Sequence, residues 1–193
     1  MKKTVFIRVL AAFAVYVLLY VVCSSAGLIH PVCYAYMGTF IPLLFAFVYL
    51  YTATNMRCFG AALALNGPLI LIGLLTGEGG PSFVIGLAVL TALAEAIRWK
   101  LGYDTLKGVR LSFILFALSF YAYTSHWWTD TAGSLEEAKE IMPAGYPDKM
   151  LPVIKNVPVL IIMIILTVPV AIVAMRLAEK VLRNRVPRVK SLK

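Results

Sequence analysis

Ser125, His126 and Asp130 fall close together in the chain and carry a hydroxyl, an imidazole and a carboxylate, the group types of a nucleophile, its base and an orienting acid. His126 and Asp130 are four apart and would share one face if a helix ran through both. Side chains adjacent in sequence rarely converge on one reacting atom. The chain also has no His-Glu-x-x-His pattern, no paired carboxylates within an apolar run and no nucleophile-elbow glycine pattern, so the reading is a protein that is not an enzyme. A second chemistry pairs His30 with His126 as axial ligands of a metal chelate or haem-like ring; the alternative is two ordinarily hydrogen-bonded histidines. The third is non-covalent capture. Tyr34, Tyr36, Tyr121, Tyr123, Trp127 and Trp128, with His30, His126 and Asn66, provide the aromatic and apolar walls and few polar groups of a small-molecule pocket. The same tyrosines and tryptophans also suit an interfacial aromatic belt, and Asn66 also suits a helix-to-helix hydrogen bond.

The setting of these residues follows from composition. The 193 residues are 61% hydrophobic, with a mean hydropathy of +0.87, where soluble domains hold roughly 45 to 50% apolar residues. A membrane core takes about 20 helical residues to cross. Apolar runs near that length occur at about 5–26, 32–53, 59–76, 83–99, 109–127 and 153–177, which predicts an all-α membrane protein of six transmembrane helices in one domain. The run from Val5 to Val22 exceeds the core of a cleaved signal, and is read as a span despite Lys2, Lys3 and the small residues Ser24-Ser25-Ala26. With both termini cytoplasmic, fifteen of the eighteen Lys and Arg residues fall inside, and only Lys139, Lys149 and Lys155 fall outside. The net charge of +9 therefore reflects membrane topology rather than nucleic-acid binding. The expected localisation is the cell membrane, with a basic cytoplasmic tail at 186–193.

Local signals refine this frame. Pro42 and Asn66-Gly67-Pro68 lie inside the second and third spans and should bend them. Thr76-Gly77-Glu78-Gly79-Gly80-Pro81 is a tight outer turn or a mobile gate. Ala11, Ala12 and Ala14 on span one, and Ala88, Ala92 and Ala96 at four-residue spacing on span four, are small-residue faces suited to close helix packing. Glu95 and Arg98 are spaced as a local ion pair. The outer loop 128–152 contains Ser134-Leu135-Glu136-Glu137, which has the form of a capping box. It predicts a short lid helix from Ser134 to Pro143, with Leu135, Ala138 and Met142 turned towards the bundle. Span six should begin after Pro158 and carry Pro169. Cys23, Cys33 and Cys58 are expected as buried apolar cysteines rather than as a disulfide framework.

Six spans in under 200 residues, the outer loop between spans five and six, Ala94-Glu95 leading to Gly102-Tyr103-Asp104-Thr105-Leu106-Lys107, and the basic end of span six together resemble the Trep_Strep family. That family is grouped with the substrate-binding S components of energy-coupling factor (ECF) transporters. The resemblance implies capture of a micronutrient such as a vitamin, metal chelate or haem-like compound at the outer face. The loops between spans one and two, three and four, and five and six would gate it. It further implies partnership with a transmembrane scaffold subunit and two ATPases; the chain would carry no cofactor of its own, ATP being used by those partners. Scaffold docking in such subunits uses an Ala-x-x-x-Ala face on span one. Here span one offers Ala11, Ala12 and Ala14 without that spacing, and the regular stripe is on span four. The alternative function is a non-transport membrane assembly or scaffolding protein, and after it an intramembrane enzyme.

Overall fold

The computed structural model describes residues 3–77 and 79–184; Lys2, Glu78, Arg185 and the basic segment 186–193 lie outside the described residues. Twelve α-helices and one 3-10 turn make up the described fold, which contains no strand. Helix α1 (Lys3–Ser25) buries only Ala12 and Tyr16. Phe6, Leu10, Leu18 and Val21 on its other faces are exposed, as expected of a helix bathed in hydrocarbon. The 3-10 turn Ala26–Leu28 leads to the short helices α2 (Pro31–Ala35) and α3 (Met37–Phe40), then to α4 (Pro42–Asn55) and α5 (Ala61–Thr76). The long α6 (Gly80–Leu101) precedes α7 (Leu106–Leu118), α8 (Phe120–Thr124) and α9 (His126–Thr129). The chain then forms α10 (Thr131–Ile141), α11 (Tyr146–Lys155) and α12 (Val157–Leu182).

Four segments are long and apolar enough to cross a membrane: Lys3–Ser25, Gly80–Leu101, Leu106–Thr124 and Val157–Leu182. Helix α5 is apolar but shorter, at 16 residues. The second apolar run is not one rod over 32–53. Tyr36 leaves helical geometry at φ −110° and ψ 14°, and α3 passes into α4 at Pro42 through Ile41, whose backbone stays helical at φ −49° and ψ −41°, with the proline in a first turn where its missing N–H costs little. The fifth run, expected over 109–127, starts at Leu106 and ends at Thr124, and His126 opens a separate helix. The sixth starts at Val157, next to Pro158 as expected although the apolar run reaches back to 153, because Asn156 takes a non-helical conformation and accepts from Val159 N–H at 3.3 Å. Pro68 and Pro169 are both accommodated inside their helices.

Helices α1, α4, α12, α7, α6 and α5 touch in that order round the bundle, and α1 against α5 completes the circuit. Buried polar side chains cross-link it. Asn66, fully buried, accepts a hydrogen bond from Tyr16 at 2.7 Å and donates to Thr91 at 2.9 Å and Ser119 at 3.1 Å. Tyr49 donates to Ser112 at 2.7 Å. At one end of the bundle, Arg8 donates to Asn55 at 3.0 Å and Arg110 forms a two-pronged pair with Glu179 at 2.7 and 2.6 Å. Glu95 and Arg98 do pair, at 3.6 Å, and also reach across helices. Glu95 accepts from the backbone N–H groups of Gly60 at 3.0 Å and Ala62 at 2.6 Å, at the start of α5. Arg98 donates to the carbonyls of Ala53, Met56 and Cys58 around the end of α4.

Several side chains sit elsewhere than the sequence pattern suggests. Of the small-residue faces, Ala12 is buried while Ala11, Ala14, Ala92 and Ala96 are exposed and Ala88 is half-buried, so the span-four stripe is not a seam within this chain. Cys33 and Cys58 are exposed and Cys23 is partly buried, against the expectation of buried cysteines, because each lies at or near a helix end where packing is incomplete. The lid helix begins four residues early: Asp130, not Ser134, caps α10 by accepting from Gly133 N–H at 3.1 Å. The inward face is as expected, with Ala138 buried and Leu135 and Met142 half-buried. Asp130→Ala should therefore destabilise the protein by about 1 kcal/mol, whereas Asp130→Asn retains the cap; thermal unfolding in detergent measures both.

Candidate functional site

A cavity of about 720 Å³ opens at the end of the bundle opposite the Glu95–Arg98 pair. Three connections build it. The segment before α4 contributes Tyr34; the α5–α6 turn contributes Gly77, Gly79, Gly80, Pro81 and Ser82; the run from α8 to α10 contributes Tyr123, His126, Trp127, Thr129, Asp130, Gly133, Ser134, Glu137 and Ala138. Ile85, Ile141 and Met142 complete the wall. The α5–α6 turn approaches this closely because Gly77, Gly79 and Gly80 all have φ near +70°, a region that is costly for residues with a Cβ.

Hydrogen bonds join the second of these connections to the third, and ring contacts hold the first against the third. Ser125 and Thr129 both donate to the Ser82 hydroxyl, at 2.9 and 3.0 Å, tying the end of the fifth run to the start of α6. His126 Nδ1 lies 2.8 Å from the Ser134 hydroxyl, which joins α9 to α10. Burial holds the His126 imidazole below its ordinary pKa, so it is neutral at pH 7. The Tyr34 and Trp127 rings meet edge to face at 6.1 Å, and Tyr34 meets Tyr123 in the same way at 6.0 Å. Trp127 is only 2% exposed, and its Nε1–H has no partner among the described residues.

Of the residues singled out from the sequence, the cavity gathers Tyr34, Tyr123, His126 and Trp127. The others lie elsewhere. His30 is exposed and caps α2, its Nδ1 accepting from Val32 N–H at 3.2 Å, so the two histidines are not brought to a common cavity. Tyr36 donates to the Val153 carbonyl at 3.3 Å, Trp128 to that of Ile154 at 3.1 Å, and Tyr146 to that of Gly27 at 3.1 Å. The Tyr36 and Tyr146 bonds strap α11 over the first connection, and the Trp128 bond ties it to α9. Tyr121 is buried against Thr39, and the Gly38 backbone lies so close that an added Cβ would stand 2.7 Å from its ring. Asn66 is saturated within the bundle and does not line the cavity.

Nor do Ser125, His126 and Asp130 form a relay. Ser125 is bonded to Ser82 and to the Ala122 carbonyl, His126 to Ser134, and Asp130 to Gly133 N–H. No cluster of three or more His, Cys, Asp or Glu side chains suited to a metal ion occurs among the described residues. The cavity residues not singled out from the sequence are chiefly Ser82, Thr129, Ser134 and Glu137. Two of these, Ser134 and Glu137, stand in the capping-box pattern, a helix-start signal that conceals their inward position.

The cavity's walls are aromatic and apolar, with a few hydroxyls, one neutral imidazole and two carboxylates, which suits them to hold an organic molecule by shape and polar contact. The chain belongs to the Trep_Strep family, described as hypothetical bacterial integral membrane proteins, which it matches over residues 1–186. No curated protein and no solved structure matches it.

Proposed function

We propose that this Trep_Strep protein is the solute-binding membrane subunit of an ECF-type importer. It captures a small organic micronutrient at the outer face of the cell membrane and delivers it inward with a scaffold subunit and two ATPases. The observation that carries this reading is the cavity itself: its walls come from three connections at one end of the bundle, of which the second and third are bonded through Ser82, Ser125 and Thr129, while Tyr34 of the first packs against Tyr123 and Trp127 of the third. Such a site can open when the connections part and close when they meet.

In this reading α1, α6, α7 with α8, and α12 cross the membrane, the broken α2–α4 segment and the shorter α5 supply two more crossings, and both termini are cytoplasmic. The sorting of Arg8, Arg57, Arg98 and Arg110 to the end remote from the cavity supports that orientation. The exposed Ala92 and Ala96 on α6, and Ala11 and Ala14 on α1, leave close-packing faces for a scaffold helix. The protein itself is a binding subunit rather than an enzyme, with nucleotide hydrolysis left to its partners.

The test is affinity purification of the full chain expressed with its host's ECF scaffold and ATPases, followed by uptake in cells. The expected result is a four-component complex and ATP-dependent accumulation of a solute. Ile85→Trp, which enlarges an exposed wall of the cavity, should leave the complex intact and cut accumulation at least tenfold. A chain that never joins the module, whatever solute is supplied, rules the reading out.

A further inference from the structure

From the charge distribution of the cavity we infer that its ligand is an organic cation, an ammonium or similarly charged nitrogen group on an apolar or aromatic frame. This rests on the capture reading above and narrows it. Asp130 and Glu137 line the cavity, and no Lys or Arg does among the described residues. Neither carboxylate is in an ion pair: the described pairs are Glu95 with Arg98, Arg110 with Glu179, and Glu136 with Lys139. The remaining titratable wall, His126, sits among Trp127, Ser134, Asp130 and Glu137, and burial favours its uncharged form.

Opposing terms are smaller. The start of α6, at Gly80, Pro81 and Ser82, also lies at the cavity, and a helix start carries about half a positive charge. The start of α10 carries another, but Asp130 already answers it through Gly133 N–H. Two full negative charges therefore outweigh the helix ends, and the cavity is electronegative.

The walls favour the same class. Tyr34, Tyr123 and Trp127 line the cavity as one edge-to-face cluster, and an aromatic wall favours a desolvated cation over an anion. A cation held between aromatic faces and carboxylates exchanges its water for both kinds of partner. An anion would have to shed its water beside two like charges. Anionic chelates, and a haem-like ring with carboxylate arms, fit this lining poorly.

The experiment uses the purified full-length chain in nanodiscs of zwitterionic lipid. Three probes share one skeleton and differ only in the terminal group: 3-phenylpropylammonium, 3-phenylpropanol and 3-phenylpropanoate. Isothermal titration should show the ammonium probe binding at least tenfold more tightly than the other two. Raising the salt should weaken it. Glu137→Gln and Asp130→Asn, both exposed and the second still able to cap α10, should each weaken it about fivefold to tenfold and leave the alcohol unaffected. Equal or tighter binding of the alcohol or the propanoate overturns the cation assignment while leaving capture intact, as does an ammonium preference that survives both substitutions. If no probe binds, and native mass spectrometry finds the same solutes on the wild type and on Ile85→Trp, the capture reading falls and the cation assignment with it.

Discussion

Replacing Arg98 by alanine should destabilise the protein by about 3 to 5 kcal/mol, the cost of leaving one partner of a buried ion pair without the other. Arg98 is fully buried and Glu95 is 2% exposed, so neither charge can be rescued by water. The loss goes beyond the pair, because the guanidinium also donates to the carbonyls of Ala53 and Met56 where α4 ends, and helix-end carbonyls left dry carry their own cost. Arg98→Lys should recover only part of the loss, since an ammonium cannot fork to several fixed acceptors as a guanidinium does. The double variant Glu95→Gln with Arg98→Met should be more stable than Arg98→Ala alone, because it removes both charges at once. Thermal unfolding in a mild detergent checks the series. An Arg98→Ala protein within 1 kcal/mol of wild type would show that the α4–α5 connection is held some other way.

The second large effect is expected at Asn66. Asn66→Leu removes three interhelical hydrogen bonds at once, to Tyr16, Thr91 and Ser119. At roughly 0.6 to 2 kcal/mol for each such bond inside a membrane, the loss is about 2 to 6 kcal/mol. It falls on the junction of α1, α5, α6 and the α7–α8 boundary, where no water is at hand to replace the missing partner. The readout that separates this structural role from a role in binding is solute affinity in the fraction that remains folded. That affinity should be unchanged, because Asn66 does not line the cavity. A variant of normal stability with weakened solute binding would return Asn66 to the site.

These two positions also show how far the sequence reaches. The three-residue spacing of Glu95 and Arg98 is enough to pair them on one helix, and they do pair. Their more important partners, the turn Met56–Gly60 and the first residues of α5, are 33 to 42 residues away in the chain and leave no mark in local spacing. Asn66 announces itself as an amide at membrane depth. Whether it faces a neighbouring helix or a ligand depends on the rotation of α5 about its axis, which packing decides. The same holds for the aromatic stretch from Tyr121 to Asp130. Its rings are conspicuous, yet only packing puts Tyr121 in the bundle, His126 and Trp127 at the cavity and Trp128 on α11.

What the sequence by itself determined is the class of protein: apolar runs of membrane length make it an integral membrane protein of helices, because a backbone in hydrocarbon must satisfy its own hydrogen bonds. It also placed a short helix in the loop after the fifth run and assigned that helix its inward face. The tertiary structure decided where helices stop and which aromatic residues meet. Breaks at Tyr36 and Asn156 depend on neighbours packed from distant parts of the chain, and a change of one residue in a helix turns a side chain through about 100°. The acidic lining is the clearest case. Glu137 reads in sequence as the closing residue of a capping box, and only the fold of α10 against the α5–α6 turn puts its carboxylate on the wall of a cavity.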